Sequence, residues 1–215
     1  MNQKEVSLSE LFSRCLSVEY THVENSADYA LEKIGDTLYL YFEWTKEKED
    51  WISNFNFPAK PYKRMGKTAW FAHRGFLKVW KTIEKYIVND IMDKSVKQVV
   101  IVGYSQGAAI AALCHEYIWY NRPDLRNSID GYGFGCPRVF WGFKSKELKQ
   151  RWERFTVIRN IGDIVTHVPP AIFGFSHVGN MVEVGAKKKY SCIDAHRPEN
   201  FIVELKEYDE SRNLV

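Results

Sequence analysis

The sequence lacks a continuous apolar stretch near the length of about 18 residues that a bilayer-spanning helix requires. Residues 1–12 also lack the apolar core of a secretory signal. Cysteines number four and lie far apart, and Cys114 and Cys136 fall in segments typical of a core helix and a core strand. We therefore expect buried free thiols and a cytoplasmic location.

The sequence also lacks a large excess of charge of one sign: 30 basic and 27 acidic residues give a net charge of +3. No basic helix and no Cys/His cluster with zinc spacing is present, so a nucleic-acid partner is not expected. Internal repeats, low-complexity segments and Pro/Gly/Ser linkers are also missing. A chain of 215 residues without such boundaries predicts one domain over residues 1–215. Its oligomeric state does not follow from the sequence.

Apolar periodicity predicts helices and strands in alternation, which indicates a mainly parallel sheet flanked by helices. The predicted helices cover residues 7–17, 76–94, 108–113, 143–151 and 198–207. The predicted strands cover residues 29–34, 37–42, 98–102, 131–135 and 155–159, the first two joined by Gly35-Asp36 as a hairpin. A polar, partly aromatic connection is expected up to about residue 72. In such sheets, sites form at the carboxyl ends of the strands.

One short motif, residues 103–107 (Gly-Tyr-Ser-Gln-Gly), carries the strongest chemical information. It follows the β-branched run 98–102 and precedes the small-residue run 108–113. A sharp strand-to-helix turn strains the backbone at its serine and leaves no room for side chains two residues away, which explains the glycines. This pattern predicts a nucleophile elbow that exposes the hydroxyl of Ser105.

A serine hydroxyl near neutral pH needs a general base, and the base needs a third group to orient it. In elbows of this kind the chain order is serine, acid, histidine. Asp163 is the favoured acid because it lies just past the strand 155–159. Either His177 or His196 fits the base by position. The residues alone leave both open and favour His196, which directly precedes the predicted terminal helix.

From about residue 28 to 205 the chain resembles the class 3 lipases, the fungal-type triacylglycerol lipases and related esterases of the α/β-hydrolase fold. Five segments match motifs of this family in the same order. Each match is weak evidence by itself, whereas the five together are specific. They are the strand 38–45 that ends in the oxyanion turn, the segment 50–54 that follows it, Ala72-His73-Arg74-Gly75-Phe76, the strand end 134–139, and the acid loop 163–170.

The resemblance implies Ser105 as nucleophile, Asp163 as acid and His196 as base, with His177 noncatalytic. It also implies that Thr45 lines the oxyanion hole, where the second donor is the backbone N–H of Gln106, directly after the nucleophile. The sequence departs from the family at Glu43-Trp44, where Arg-Gly is usual, and in the elbow, where Tyr104 and Gln106 replace the common His and Leu. Neither a cofactor nor a metal is expected.

The activity implied is that of a lipase or lipid esterase releasing fatty acids from acylglycerols or (lyso)phospholipids. Residues 46–55 correspond to the family's lid, and lipid at an interface is the expected partner. Between residues 51 and 83 no acidic residue occurs, which favours anionic head groups. The basic residues in that stretch are Lys60, Lys63, Arg64, Lys67, Arg74, Lys78 and Lys81. The alternatives are a non-lipid carboxylesterase of the feruloyl type and a catalytically silent interaction domain.

Overall fold

A computed structural model describes residues 7–24, 26–43, 59–64, 67–187 and 189–213. Its helices are α1 (Leu8–Ser17), α2 (Arg74–Met92), α3 (Gln106–Asn121), α4 (Lys146–Gln150) and α5 (Pro198–Asn213). Its strands are β1 (Tyr29–Ile34), β2 (Thr37–Phe42), β3 (Ala59–Arg64), β4 (Lys67–His73), β5 (Gln98–Tyr104), β6 (Ile129–Phe134), β7 (Phe140–Trp141), β8 (Phe155–Asn160), β9 (Phe175–Ser176) and β10 (Asn180–Val184).

The central sheet has the strand order β1-β2-β5-β6-β8-β10. The hairpin of β1 and β2 is antiparallel, and every other neighbouring pair in this sheet is parallel. Gly35 turns the hairpin with a φ of +62°. The predicted α/β-hydrolase architecture, a mainly parallel sheet flanked by helices, is confirmed.

Strand β5 lies in the middle of this sheet, with Ile101 in register between Leu40 of β2 and Gly131 of β6. Its residues from Val99 to Tyr104 are buried, as expected of a β-branched strand covered on both faces. The buried alanines of α3 let that helix lie close to the sheet. Strand β5 and helix α3 therefore hold the turn between them firmly.

The prediction of a polar connection up to about residue 72 is wrong, because β3 and β4 form a hairpin there. They belong to a second, antiparallel sheet of order β3-β4-β7-β9. Aromatic packing stabilises it: the Tyr62 and Trp70 rings lie 5.0 Å apart, and Trp70 stacks on Phe140 at 5.7 Å. Pro61 and the surrounding basic residues conceal this strand pattern in the sequence.

Helix boundaries differ from the predicted ones where side chains cap the ends. Helix α2 begins at residue 74 because His73 Nδ1 accepts the amide of Phe76 at 3.4 Å. Helix α4 is shorter than predicted and begins after Ser145, whose hydroxyl accepts the Leu148 amide. Helix α5 continues past residue 207, and its Asp209 caps the start of α1.

The thiols of Cys114 and Cys136 are free and buried, as predicted, and burial raises the pKa of both. Cys15 is also buried, whereas Cys192 is exposed. Within the described ranges, no helix combines the length and apolarity needed to cross a membrane.

Candidate active site

The motif at residues 103–107 forms the predicted elbow between β5 and α3. Ser105 has φ +57° and ψ −122°, and among the described residues no other non-glycine has a positive φ. A Cβ on Gly103 would lie 2.3 Å from the carbonyl oxygen of Gly107, and one on Gly107 would lie 2.2 Å from that of Phe42. Close backbone approach therefore requires both glycines, and the turn carries the strain typical of functional sites.

Three residues that lie far apart in the sequence meet at this turn. Ser105 Oγ lies 2.9 Å from His196 Nε2, and His196 Nδ1 lies 2.8 Å from Asp163 Oδ2. Ser105 is 3% exposed, Asp163 is fully buried, and the His196 side chain keeps 16% of its surface accessible. The arrangement is a continuous hydrogen-bond chain from acid to base to hydroxyl, open to solvent at the histidine.

The carboxylate of Asp163 is held by its own loop after β8. Its Oδ1 accepts the amide of Val165 at 2.8 Å, which caps a short 3-10 helix over Ile164–His167. The hydroxyl of Thr166 donates to the Asp163 carbonyl at 2.8 Å. With one oxygen bound to its loop, Asp163 presents the other to His196 in a fixed direction.

Two residues that the sequence reasoning did not assign to the site hold His196 in place. Asn160, fully buried at the end of β8, donates from Nδ2 to the Ala195 carbonyl at 2.9 Å. Gly135 lies beneath the imidazole, since a Cβ there would be 2.7 Å from His196 Cε1 and 3.1 Å from Asp163 Oδ2. Gly135 stands in the matched strand end 134–139, whereas nothing in the sequence pattern distinguishes Asn160.

The other candidate base, His177, points elsewhere. Its Nε2–H donates to the carbonyl of Thr166 at 2.8 Å, and burial lowers its pKa to about 4. His196 rather than His177 is the histidine that contacts both Ser105 and Asp163. Of the two histidines that the residues alone left open, His196 is the one whose contacts suit a base.

Of the two expected oxyanion donors, Gln106 is the first residue of α3, where backbone N–H groups point away from the helix's own carbonyls. Thr45 lies outside the described residues, as does the expected lid over residues 46–55. The described part of β2 ends against the elbow, because Phe42 is the residue that Gly107 approaches. Thr45 therefore stays a sequence-based prediction.

A family model described as lipase (class 3) matches residues 39–173, which is more than half of the chain. The chain belongs to the class 3 lipase family. The matched segment includes Ser105 and Asp163 and ends before His196. Membership rests on this match and agrees with the elbow, the acid loop and the fold described above.

Curated relatives of the chain include lipases of Rhizomucor and Rhizopus species. The chain is 28% identical to a lipase of Rhizomucor miehei over 148 residues, which are 66% of this chain and 40% of that one. It is also 28% identical to a lipase of Rhizopus niveus over 152 residues, covering 66% and 37% of the two chains. This class 3 lipase-family chain therefore spans less than half of the length of these relatives.

Solved structures give the same fold. A lipase of Rhizopus microsporus var. chinensis superposes with a TM-score of 0.68 at 22% identity, covering 87% of this chain and 71% of that one. A fungal lipase in complex with an inhibitor superposes with a TM-score of 0.69 at 18% identity, covering 87% and 88%. At these identities the likeness concerns the α/β-hydrolase fold.

Proposed function

We propose that this chain is a serine carboxylic ester hydrolase of the lipase type, which releases fatty acids through an acyl-serine intermediate and so degrades lipids. The observation that carries the proposal is the hydrogen-bond chain from Asp163 through His196 to Ser105, with distances of 2.8 and 2.9 Å. A catalytically silent domain has no need of this geometry or of the strained φ at Ser105. Membership of the class 3 lipase family supports the same activity.

In the first half of the reaction, Ser105 Oγ attacks the ester carbonyl carbon while His196 Nε2 accepts the hydroxyl proton. The tetrahedral intermediate collapses, the C–O bond to the alcohol breaks, and His196 returns its proton to the leaving oxygen. Asp163 keeps a proton on Nδ1 of His196 and stabilises the imidazolium formed in between. The product is an ester between the acyl group and Ser105.

In the second half, His196 takes a proton from water, whose oxygen attacks the acyl-serine carbonyl. The bond to Ser105 Oγ breaks, the serine regains its proton and the carboxylic acid leaves. Both tetrahedral intermediates need donors at the developing oxyanion, and one such donor contributes roughly 10²- to 10³-fold in rate. We assign the amide of Gln106 to this role, with Thr45 as the predicted second donor.

A lipid substrate is supported by exposed apolar side chains along the second sheet and the loop that follows the acid. Trp141 Nε1–H donates to the Phe173 carbonyl at 2.8 Å, and the Trp141 ring lies edge-on to Phe71 at 5.5 Å. Nearby in sequence, Phe143 is 91% exposed and Ile172 is 88% exposed. Apolar residues grouped in this way favour contact with lipid over contact with water.

Anionic head groups are favoured by the basic residues of β3 and α2, two elements that pack against each other. Lys60 and Lys63 on β3 are exposed, as are Arg74, Lys78 and Lys81 on α2. Lys81 also pairs with Glu84 at 2.7 Å, which reduces its contribution. We infer that the chain hydrolyses acylglycerols faster in membranes that contain acidic lipid than in membranes without it.

A fluorophosphonate probe tests the nucleophile and the base. Labelling of the folded chain is expected to disappear in Ser105→Ala and to persist in Ser13→Ala, which changes an exposed serine on α1. Ester turnover is expected to fall by at least about 10⁴-fold in His196→Ala. Labelling of Ser105→Ala, or loss of turnover in folded His177→Ala with His196→Ala active, contradicts the assignment.

An ester panel tests the substrate class. Turnover is expected to rise from short-chain to long-chain acylglycerols and to stay low on feruloyl esters, because apolar surface favours long acyl chains. Vesicles with and without acidic phospholipid then measure the head-group preference, which is expected to weaken with added salt. Preference for feruloyl esters favours the carboxylesterase alternative, and turnover independent of acidic lipid contradicts the anionic preference.

A further inference from the structure

Tyr104, the residue directly before Ser105, lies at the end of β5 and is 1% exposed. Its ring packs edge-on to Phe12 of α1 at 5.1 Å and to Phe201 of α5 at 6.1 Å. These contacts place the ring in the core between the sheet and helices α1 and α5. Core packing alone would be satisfied by any large apolar side chain.

Two further contacts connect Tyr104 to His196. The phenol ring stacks on the imidazole, with centroids 5.0 Å apart and planes 24° apart. The phenol hydroxyl donates a hydrogen bond to the backbone carbonyl oxygen of His196 itself. Burial raises the pKa of Tyr104 far above its usual range, so the hydroxyl keeps its proton and remains a donor.

The carbonyl of His196 lies just before α5 and accepts none of the first hydrogen bonds of that helix. The amides of Asn200 and Phe201 both donate to the carbonyl of Arg197, so the hydrogen bonding of the helix begins one residue later. The bond from Tyr104 therefore connects the backbone of His196 to the end of β5. It joins that backbone directly to the residue that precedes Ser105.

We propose that Tyr104 is a positioning residue for His196: its hydroxyl holds the histidine backbone, and its ring stabilises the imidazolium that forms when Ser105 attacks. This inference rests on the proposed function. The ring face carries partial negative charge and attracts a cation, whereas neutral imidazole gains much less. The contact is therefore stronger in the transition state than in the resting enzyme, which is the condition for raising kcat.

Within the part of the chain that the structure describes, the titratable side chains in recorded contact with His196 come from two elements. Asp163 approaches from the loop after β8 and Tyr104 from β5, while Asp194, Arg197 and Glu199 belong to the segment of His196 itself. Asp194 and Arg197 pair with each other at 3.1 Å. Substitutions at Tyr104 leave all of these other groups in the chain, so a change in pH dependence reports on the phenol.

Two variants separate the hydroxyl from the ring. Tyr104→Phe keeps the stacking and loses the hydrogen bond, so kcat on a soluble short-chain ester is expected to fall about 3- to 10-fold with KM unchanged. Tyr104→Leu also loses the ring, and a further fall of about 3- to 30-fold is expected. In Tyr104→Leu, the acidic limb of the pH–activity profile is expected to move to lower pH, because the imidazolium loses stabilisation.

Phe12→Leu is the matched control, since it removes an aromatic ring from the same cluster and Phe12 packs edge-on against Tyr104. It is expected to lower the melting temperature and to leave kcat and the pH profile unchanged. Equal effects of Phe12→Leu and Tyr104→Leu on both readouts would mean that Tyr104 serves packing only and would overturn the proposal. If Tyr104→Leu does not fold, wild-type kcat in Tyr104→Phe overturns the hydroxyl role.

An NMR titration of the ¹⁵N-labelled imidazoles gives a readout that does not require turnover. The His196 signals, assigned through His196→Gln, are expected to titrate at lower pH in Tyr104→Leu than in wild type and Phe12→Leu. Identical titrations in the three proteins overturn the ring's role. If the wild type shows neither turnover nor labelling of Ser105, the proposed function fails, and the titration still decides whether Tyr104 stabilises the imidazolium.

Discussion

Single glycines determine how closely the groups of the site approach one another. Gly103 and Gly107 allow β5, α3 and the end of β2 to meet at Ser105. Gly135, with φ +56°, lies beneath the imidazole of His196 and beside the carboxylate of Asp163. A methyl group at any of these positions would occupy space that the backbone or the side chains of His196 and Asp163 already fill.

Gly135→Ala is expected to lower kcat by about 10²-fold, because its Cβ displaces His196 from Ser105 and a shift near 1 Å costs about that much. Gly35→Ala is the matched control: its φ of +62° is similar, yet its Cβ would meet no atom within 4 Å. Gly35→Ala is expected to cost about 1 kcal/mol of stability through its positive φ alone, and Gly135→Ala is expected to cost more, because its Cβ also clashes with His196. Steady-state kinetics and urea unfolding measure the two effects, and wild-type kcat in folded Gly135→Ala would contradict the prediction.

Helices and strands are joined at their ends by buried polar side chains. Arg122, just after α3, is fully buried and donates to the carbonyl of Ile91 in the last turn of α2 and to those of Asp93 and Val96 in the connection to β5. Its guanidinium also pairs with Asp124 at 2.8 Å. One side chain thus satisfies three carbonyls that precede β5, the strand that leads into Ser105.

Arg122→Met is expected to lower the free energy of unfolding by about 3 kcal/mol, because it leaves buried carbonyls without their donor. Arg14→Met is the control, since Arg14 forms an ion pair with Glu32 that is partly exposed on both sides, worth at most about 1 kcal/mol. Urea unfolding at neutral pH measures both variants. Equal, small losses would show that water replaces Arg122 without cost.

The stability of the folded chain depends on pH through buried histidines. His115 lies in α3 against the ring of Phe155 at 5.5 Å and is 1% exposed. Burial lowers its pKa to about 4, compared with an ordinary value of 6.5. The unfolded chain therefore binds a proton at this residue at a higher pH than the folded chain does. Above about pH 6.5 His115 is neutral in both states and does not reduce stability; as the pH falls from 6.5 toward 4, protonation of the unfolded chain lowers the free energy of unfolding.

His115→Gln is expected to reduce the loss of stability between about pH 6.5 and 4.5 by about 2 kcal/mol, because one buried group no longer takes up a proton on unfolding. Free energies of unfolding by urea across this range test the variant against the wild type. Parallel pH curves for His115→Gln and the wild type would contradict the assignment to His115.

Local patterns were sufficient to predict the parts of the fold in which neighbours along the chain make the structure. The apolar run of β5, the glycines of the elbow and the alanines of α3 are consecutive, so the strand, the turn at Ser105 and the helix could be predicted directly from them. The hairpin of β3 and β4 was missed, since its stability comes from aromatic rings contributed by distant segments such as Phe140. Single-domain organisation over residues 1–215 stays a prediction.

The residues alone identified Ser105, placed Asp163 at a strand end and limited the base to His177 or His196. Tertiary packing places His196, rather than His177, beside Ser105 and Asp163, because Asn160 and Gly135 position the loop of His196, while His177 turns to the carbonyl of Thr166. It also brought Tyr104 against His196. The physical reason is separation along the sequence. An elbow is a local backbone conformation that neighbouring residues determine, whereas a hydrogen bond between distant loops depends on the structure that joins them.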